Sequence, residues 1–257
     1  MLISSFAWNG LDDLDLDGLE PAMPYPQLAG KRVLITGVSS LGGVDIVRAF
    51  AEHKTELVID MAERSEAMQA VAELAAQSAL DLTIFDAPLK SEQDILAMAR
   101  KAIAKNGGVD LVVNLVPLLP PRPDAAAGMA AIEAHISALF LKACLVGRVA
   151  ANRMRLTQTE GVVLNVAVPL RGAGQHRGFL ALARATLSSL TMGEAQTWAK
   201  DGIRFNAVAP ADDAARGFQS SDLPALTGEP QMANLALFLA TGRGRHLSGV
   251  TFDSALN

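Results

Sequence analysis

Seven short runs of mostly β-branched residues recur along this chain, separated by longer stretches with helical spacing. The runs are Arg32–Thr36, Leu57–Asp60, Leu82–Phe85, Asp110–Val116, Val162–Val166, Ile203–Val208 and Val250–Asp253. Most hold apolar residues at consecutive positions, as strands do when helices cover both faces of a parallel sheet. Between the runs, Ile132, Ile136, Leu139, Phe140, Ala143, Val146, Ala150 and Met154 follow each other mainly at steps of three and four, the period of one helix face. Strict alternation of strand and helix, with right-handed crossovers, predicts an α/β fold: a doubly wound parallel sheet of about seven strands flanked by six helices.

The 257 residues suffice for one such domain. Residues 27–257 read as a single Rossmann-like unit with no internal repeat or linker, preceded by an acidic leader over residues 1–26. Residues 1–30 hold Asp12, Asp13, Asp15, Asp17 and Glu20 and no Lys or Arg, so they carry the whole net charge of −5. The leader has no helical period. It reads either as a solvated acidic tail or as an arm that covers Phe6, Trp8 and its leucines on a partner. The balanced remainder argues against nucleic acid, which demands a basic footprint. Cys144 alone permits no internal disulfide and fits a reducing compartment. The N-terminus lacks a basic n-region and no apolar run reaches membrane-spanning length, so a cytoplasmic protein is expected. No His, Cys and carboxylate cluster has metal-ligand spacing, and no metal is expected.

The first run leads into Thr36, Gly37, Val38, Ser39, Ser40, Leu41, Gly42 and Gly43 and then a helix. Glycines there permit a tight turn and let backbone N–H groups reach a pyrophosphate at a helix N-terminus. Asp60 ends the second run, where a carboxylate can accept ribose hydroxyls and repel a 2′-phosphate, favouring NAD over NADP. With these residues the chain resembles the short-chain dehydrogenase/reductase family over residues 31–257. Thr36, Gly37 and Gly43 match the family's TGxxxGxG turn, with Leu41 where its middle glycine is expected. Asp86 and Ala87 look like its adenine-contacting pair, and Asn114 like the first residue of its NNAG motif. The segment Gly202 to Pro210 is close to its GIRVNAVAPG stretch, with Ala211 replacing the last glycine. The resemblance implies NAD as cofactor, its hold weakened or lost by Leu41.

It also implies a catalytic Asn, Ser, Tyr and Lys, and here the chain departs from the pattern. Matching the motifs puts His135 at the Asn position, Ala167 or Val168 at the Ser position, Leu180 at the Tyr position and Arg184 at the Lys position. No Ser, Thr or Tyr lies between Thr159 and Thr186, so no small shift of register restores the hydroxyls. The single tyrosine, Tyr25, precedes the first strand. His176, one helical turn before Leu180, is the remaining candidate acid, set against a plain solvated or capping histidine. Arg171 and Arg177 lie near it in sequence. Two readings follow: a non-catalytic subunit that acts through assembly, or a divergent NAD-dependent oxidoreductase using other residues or a partner's residues. A third is a binder of a different small molecule in the former cofactor cleft. The resemblance implies homo- or hetero-oligomers through helices around 127–155 and 178–200, with an intact homologue as one partner.

Overall fold

The computed structural model describes residues 25–121, 128–169, 176–211, 226 and 228–254. Seven parallel strands form one sheet in the order β3-β2-β1-β4-β5-β6-β7. They are β1 (Arg32–Val38), β2 (Glu56–Met61), β3 (Asp81–Phe85), β4 (Leu111–Leu118), β5 (Val162–Pro169), β6 (Arg204–Pro210) and β7 (Thr251–Ser254). Six α-helices alternate with them: α1 (Val44–Glu52), α2 (Glu66–Ser78), α3 (Glu92–Lys105), α4 (Met129–Leu156), α5 (Arg177–Trp198) and α6 (Glu229–Ala240). The order reverses direction between β1 and β4, which creates a crevice at the carboxyl ends of the strands.

Each face of the sheet has its own core. Val33, Ile35, Leu57, Ile59, Val113 and Leu164 pack with α1 and α6, through Ile46, Phe50, Ala236 and Leu239 among others. On the other face Leu34, Val58, Val112 and Val163 meet α3 and α4. A third cluster closes the carboxyl end of β4, β5 and β6 under α4 and α5. Consecutive strand residues thus enter opposite cores, which explains the unbroken apolar runs.

The described residues begin at Tyr25. Tyr25 packs against the first core with its ring 6.0 Å from that of His53, and Leu28 is fully buried after a short 3-10 turn. The rest of the acidic leader, residues 1–24, lies outside the described residues, as does Arg171.

Helix α4 overturns one expectation. Its 28 residues have a mean hydropathy of 1.6 over the most apolar stretch, long and apolar enough by length and composition to cross a bilayer. In the fold it instead carries Phe140, Ala143, Val146, Ala150 and Met154 into the cores.

At the opposite edge, β1 and β4 are locked where both begin. The Arg32 guanidinium donates to both oxygens of Asp110, at 3.0 and 2.7 Å, and the Arg32 N–H adds a third bond. Burial pushes the Asp110 carboxyl up, but the bonds and charge of Arg32 outweigh it and hold the group below its ordinary range. A depressed carboxylate contributes stability above its unfolded value of about 3.9 and loses it as the pH falls. Urea unfolding at about pH 6 and about pH 3 should therefore show a steeper acid loss for the native chain than for Arg32→Met. Equal losses would mean that the pair contributes nothing.

Candidate functional site

The crevice is framed by the turn from β1 into α1, the ends of β4 and β5, and the first turn of α6. Gly37 has φ +78° and its α-carbon faces the Leu115 carbonyl so closely that a side chain would collide with it. Gly43 has φ +108° and lies under the Leu115 side chain. Both positions require glycine, so the turn keeps the shape that the sequence predicts.

Its donors are taken, however. Ser39 and Gly42 bond each other in both directions at 3.1 Å, and the Leu41 N–H reaches the Ser39 hydroxyl at 3.3 Å. The Ser40 N–H donates to Glu63 at 2.8 Å. Glu229, the first residue of α6, places one carboxylate oxygen, Oε1, at the N-terminus of α1. That oxygen accepts from Gly43 at 2.7 Å, Asp45 at 2.8 Å and Ile46 at 3.4 Å. Burial pushes the Glu229 carboxyl above its usual range, against the pull of those N–H groups, and the neighbouring Asp45 carboxylate adds to the rise. Glu63 is lowered instead, by the Ser40 N–H. Leu41 itself is 49% exposed.

Asp60 is 2% exposed and faces inward. Its Oδ2 accepts from the Gly37 N–H at 3.0 Å and from the Lys142 ammonium of α4. The carboxylate expected to meet ribose is thereby committed to the sheet and to a cation from the helix above it. Thr36, Asn114 and Asn165 form a buried polar line across three strands. The Thr36 hydroxyl donates to Asn114 at 2.8 Å, and the Asn114 amide donates to Asn165 at 2.9 Å and to the Ala143 carbonyl at 3.3 Å. Asn114 therefore fastens α4 to the sheet. Asp86 pairs with Arg64 at 2.8 Å on the surface, beside a cavity of about 470 Å³ lined by Met61, Glu63, Arg64, Met68 and Ile84. Ala87 is exposed next to it.

The carboxyl end of β5 adjoins an apolar cluster. Ala167 and Leu180 are 1% and 4% exposed, in the cluster with Leu118, Ile136, Phe140 and Ala209. Val168 leans over Gly42, with its Cγ1 3.3 Å from where a β-carbon there would lie. His135 Nε2 is 2.7 Å from the Leu119 carbonyl and its ring is 5.9 Å from Phe179. Arg184 bonds the carbonyls of Ala209 and Pro210 at 3.3 and 3.0 Å and pairs with Asp253 at 2.6 Å, clamping the ends of β6 and β7. His176 is exposed at the start of α5 and its side chain makes no capping bond there. The structure thus brings Ala167 and Leu180 together, while His176 stands apart at the surface. Among the described residues no group of three His, Cys, Asp or Glu side chains is placed to hold a metal.

The residues present do not fit a dinucleotide in this arrangement. The phosphate donors carry the chain's own carboxylates, and the ribose carboxylate carries Lys142. The sequence reading missed Glu229 and Lys142. Lys142 had a signal, a lone cation between Leu139-Phe140-Leu141 and Ala143-Cys144-Leu145, whereas Glu229 lies 186 residues from Gly43 and had none.

Removing one partner of a largely buried ion pair leaves the other charge stranded. Lys142→Met should therefore lower the unfolding free energy by about 3 kcal/mol, measured in urea. Adding Asp60→Asn should return part of that loss. A neutral Lys142→Met would show that Asp60 is solvated.

Comparison with known proteins agrees with this architecture. The sequence pattern of the family described as short chain dehydrogenase matches residues 31–219. The cis-4-hydroxycyclohexanecarboxylate dehydrogenase of Sinomonas cyclohexanicum is 28% identical over 209 residues, 79% of this chain and 78% of that one. Glucose 1-dehydrogenase 2 of Bacillus subtilis is 24% identical over 196 residues, 72% of this chain and 73% of that one. A hydroxysteroid dehydrogenase structure from Escherichia coli superposes with a TM-score of 0.68 at 23% identity, over 90% of this chain and 99% of that one. A short-chain type dehydrogenase/reductase from Mycobacterium marinum gives 0.69 at 19% identity, over 89% and 94%. These two structures bear on the fold alone. With the family pattern spanning most of the domain, the chain belongs to the short chain dehydrogenase family.

Proposed function

We propose that this chain is a non-catalytic member of its family, a subunit that contributes fold and surface rather than hydride transfer. The observation that carries the reading is the apolar cluster at the carboxyl end of β5. Leu180 and Ala167 are buried there, where resemblance places the phenol and the hydroxyl. Proton transfer demands a titrating group within hydrogen-bond reach of the reacting oxygen. Arg184 cannot serve, because a guanidinium stays charged and this one is held by two carbonyls and Asp253. NAD is the cofactor that family membership suggests; in this chain we read its binding as weakened or lost. The activities named for the relatives remain theirs.

Family members commonly form oligomers. Here α4 and α5 are tied by Arg148 and Glu194 at 2.7 Å, and they leave Met129, Leu156 and Met192 more than half exposed. We assign these helices the role of the assembly surface, toward a second copy or an intact homologue. We propose a further contact from the acidic leader, residues 1–26. Their removal should lower the number of subunits in the native assembly and leave the circular dichroism of the chain unchanged. An unaltered number of subunits would remove the leader from that role.

The isolated chain should oxidise no alcohol and reduce no ketone above background in a nucleotide-absorbance assay over a broad carbonyl panel. Leu180→Tyr with Arg184→Lys should not restore turnover. The added phenol lands in a closed cluster, at about 1–3 kcal/mol of stability, and Ala167 still offers no hydroxyl. Turnover by the isolated chain that vanishes in His176→Ala would establish the divergent oxidoreductase instead. Turnover in a native complex alone would place the chemistry in the partner.

A further inference from the structure

We infer that Glu229 is the resident anion of the β1–α1 turn, seated where the diphosphate of a dinucleotide would be held and excluding it. This goes beyond the non-catalytic reading, because a site without acid groups could still hold nucleotide. The carboxylate makes the contacts an anion makes at a helix N-terminus. One oxygen takes the N–H groups of Gly43, Asp45 and Ile46 together. Glu229 also opens α6, so it stands between two helix N-termini, each of which favours negative charge.

From Ser39 to Gly43 every N–H is bonded within the chain, two of them to carboxylates. A diphosphate would have to displace both Glu63 and Glu229 and then sit beside them and Asp45, against like charge. Space is short as well. Leu115 covers Gly43, and Val168 lies against Gly42 with Glu229 Oε2 behind it. An internal carboxylate is tethered by α6 and competes at high effective concentration, whereas a free ligand loses translational freedom on binding.

The test uses the full chain, titrated by calorimetry with NAD⁺ and separately with inorganic pyrophosphate. The native chain should give no binding heat with either. Its Gly43, Asp45 and Ile46 amide resonances should stay in place. Glu229→Ala, checked for folding by circular dichroism, should bind pyrophosphate and NAD⁺ with a dissociation constant at least about tenfold below the highest ligand concentration at which the native chain is silent, as expected for removing a charge at a helix N-terminus. Glu229→Gln keeps an acceptor and the side-chain size, so it should fold where the alanine variant fails and show a smaller gain. Glu66→Ala, on the exposed start of α2, is the control and should behave like the native chain. Binding of NAD⁺ by the native chain with shifts at the three amides would overturn the inference. So would silence toward pyrophosphate and NAD⁺ in a folded Glu229→Ala or, where that variant fails to fold, in a folded Glu229→Gln. Carbonyl turnover by Glu229→Ala alone would sink the non-catalytic reading and leave this one standing.

Discussion

A buried turn that hands a strand to a helix exposes more backbone donors than the helix can satisfy, and each must find an acceptor. At the end of β1 this requirement governs the crevice. The glycines bring the backbone close to β4, and the helix start leaves Gly43, Asp45 and Ile46 needing a partner. In a nucleotide-binding relative of this architecture a phosphate can supply it. Here α6 supplies it, and the same bond fixes α6 against α1. The turn, the first core and the last helix are consequently stitched by one carboxylate.

A parallel logic runs through the neighbouring strands. Asp60, Asn114 and Arg184 are residue types that a functional reading would aim at a ligand. Each is instead spent on the fold. Asp60 holds Gly37 and Lys142, Asn114 joins β1, β5 and α4, and Arg184 closes the ends of β6 and β7. Buried polar groups that are fully paired rigidify their surroundings. The carboxyl edge of this sheet is therefore held by its own side chains.

The fold was legible because it rests on local signals. Unbroken apolar runs report strands covered on both faces, and the three-and-four spacing along α4 named most of its buried residues. Glycine at 37 and 43 was legible for the same reason, since positive φ leaves a mark in one residue. The missing hydroxyls near Ala167 and Leu180 could be read as a simple absence over a stretch of chain. What a side chain bonds to is different, because that depends on contacts distant in sequence. Asp60 keeps the residue type that suits a ribose, yet its position in β2 aims it at α4 rather than at the crevice.

Glu229 also carries a conflict that explains why it can act as an occupant without being an ordinary structural acid. Burial raises its carboxyl while three N–H groups draw it down, and burial wins. For an acid whose folded value is raised, ionisation opposes the folded form, and the opposition grows as the pH climbs through the window above the unfolded value. Three N–H groups thus satisfy the oxygen of this carboxyl, while its own burial and the neighbouring Asp45 work against its charge. A glutamine would keep much of the contact, so the bond between α6 and α1 does not require an acid. Repulsion of a diphosphate does.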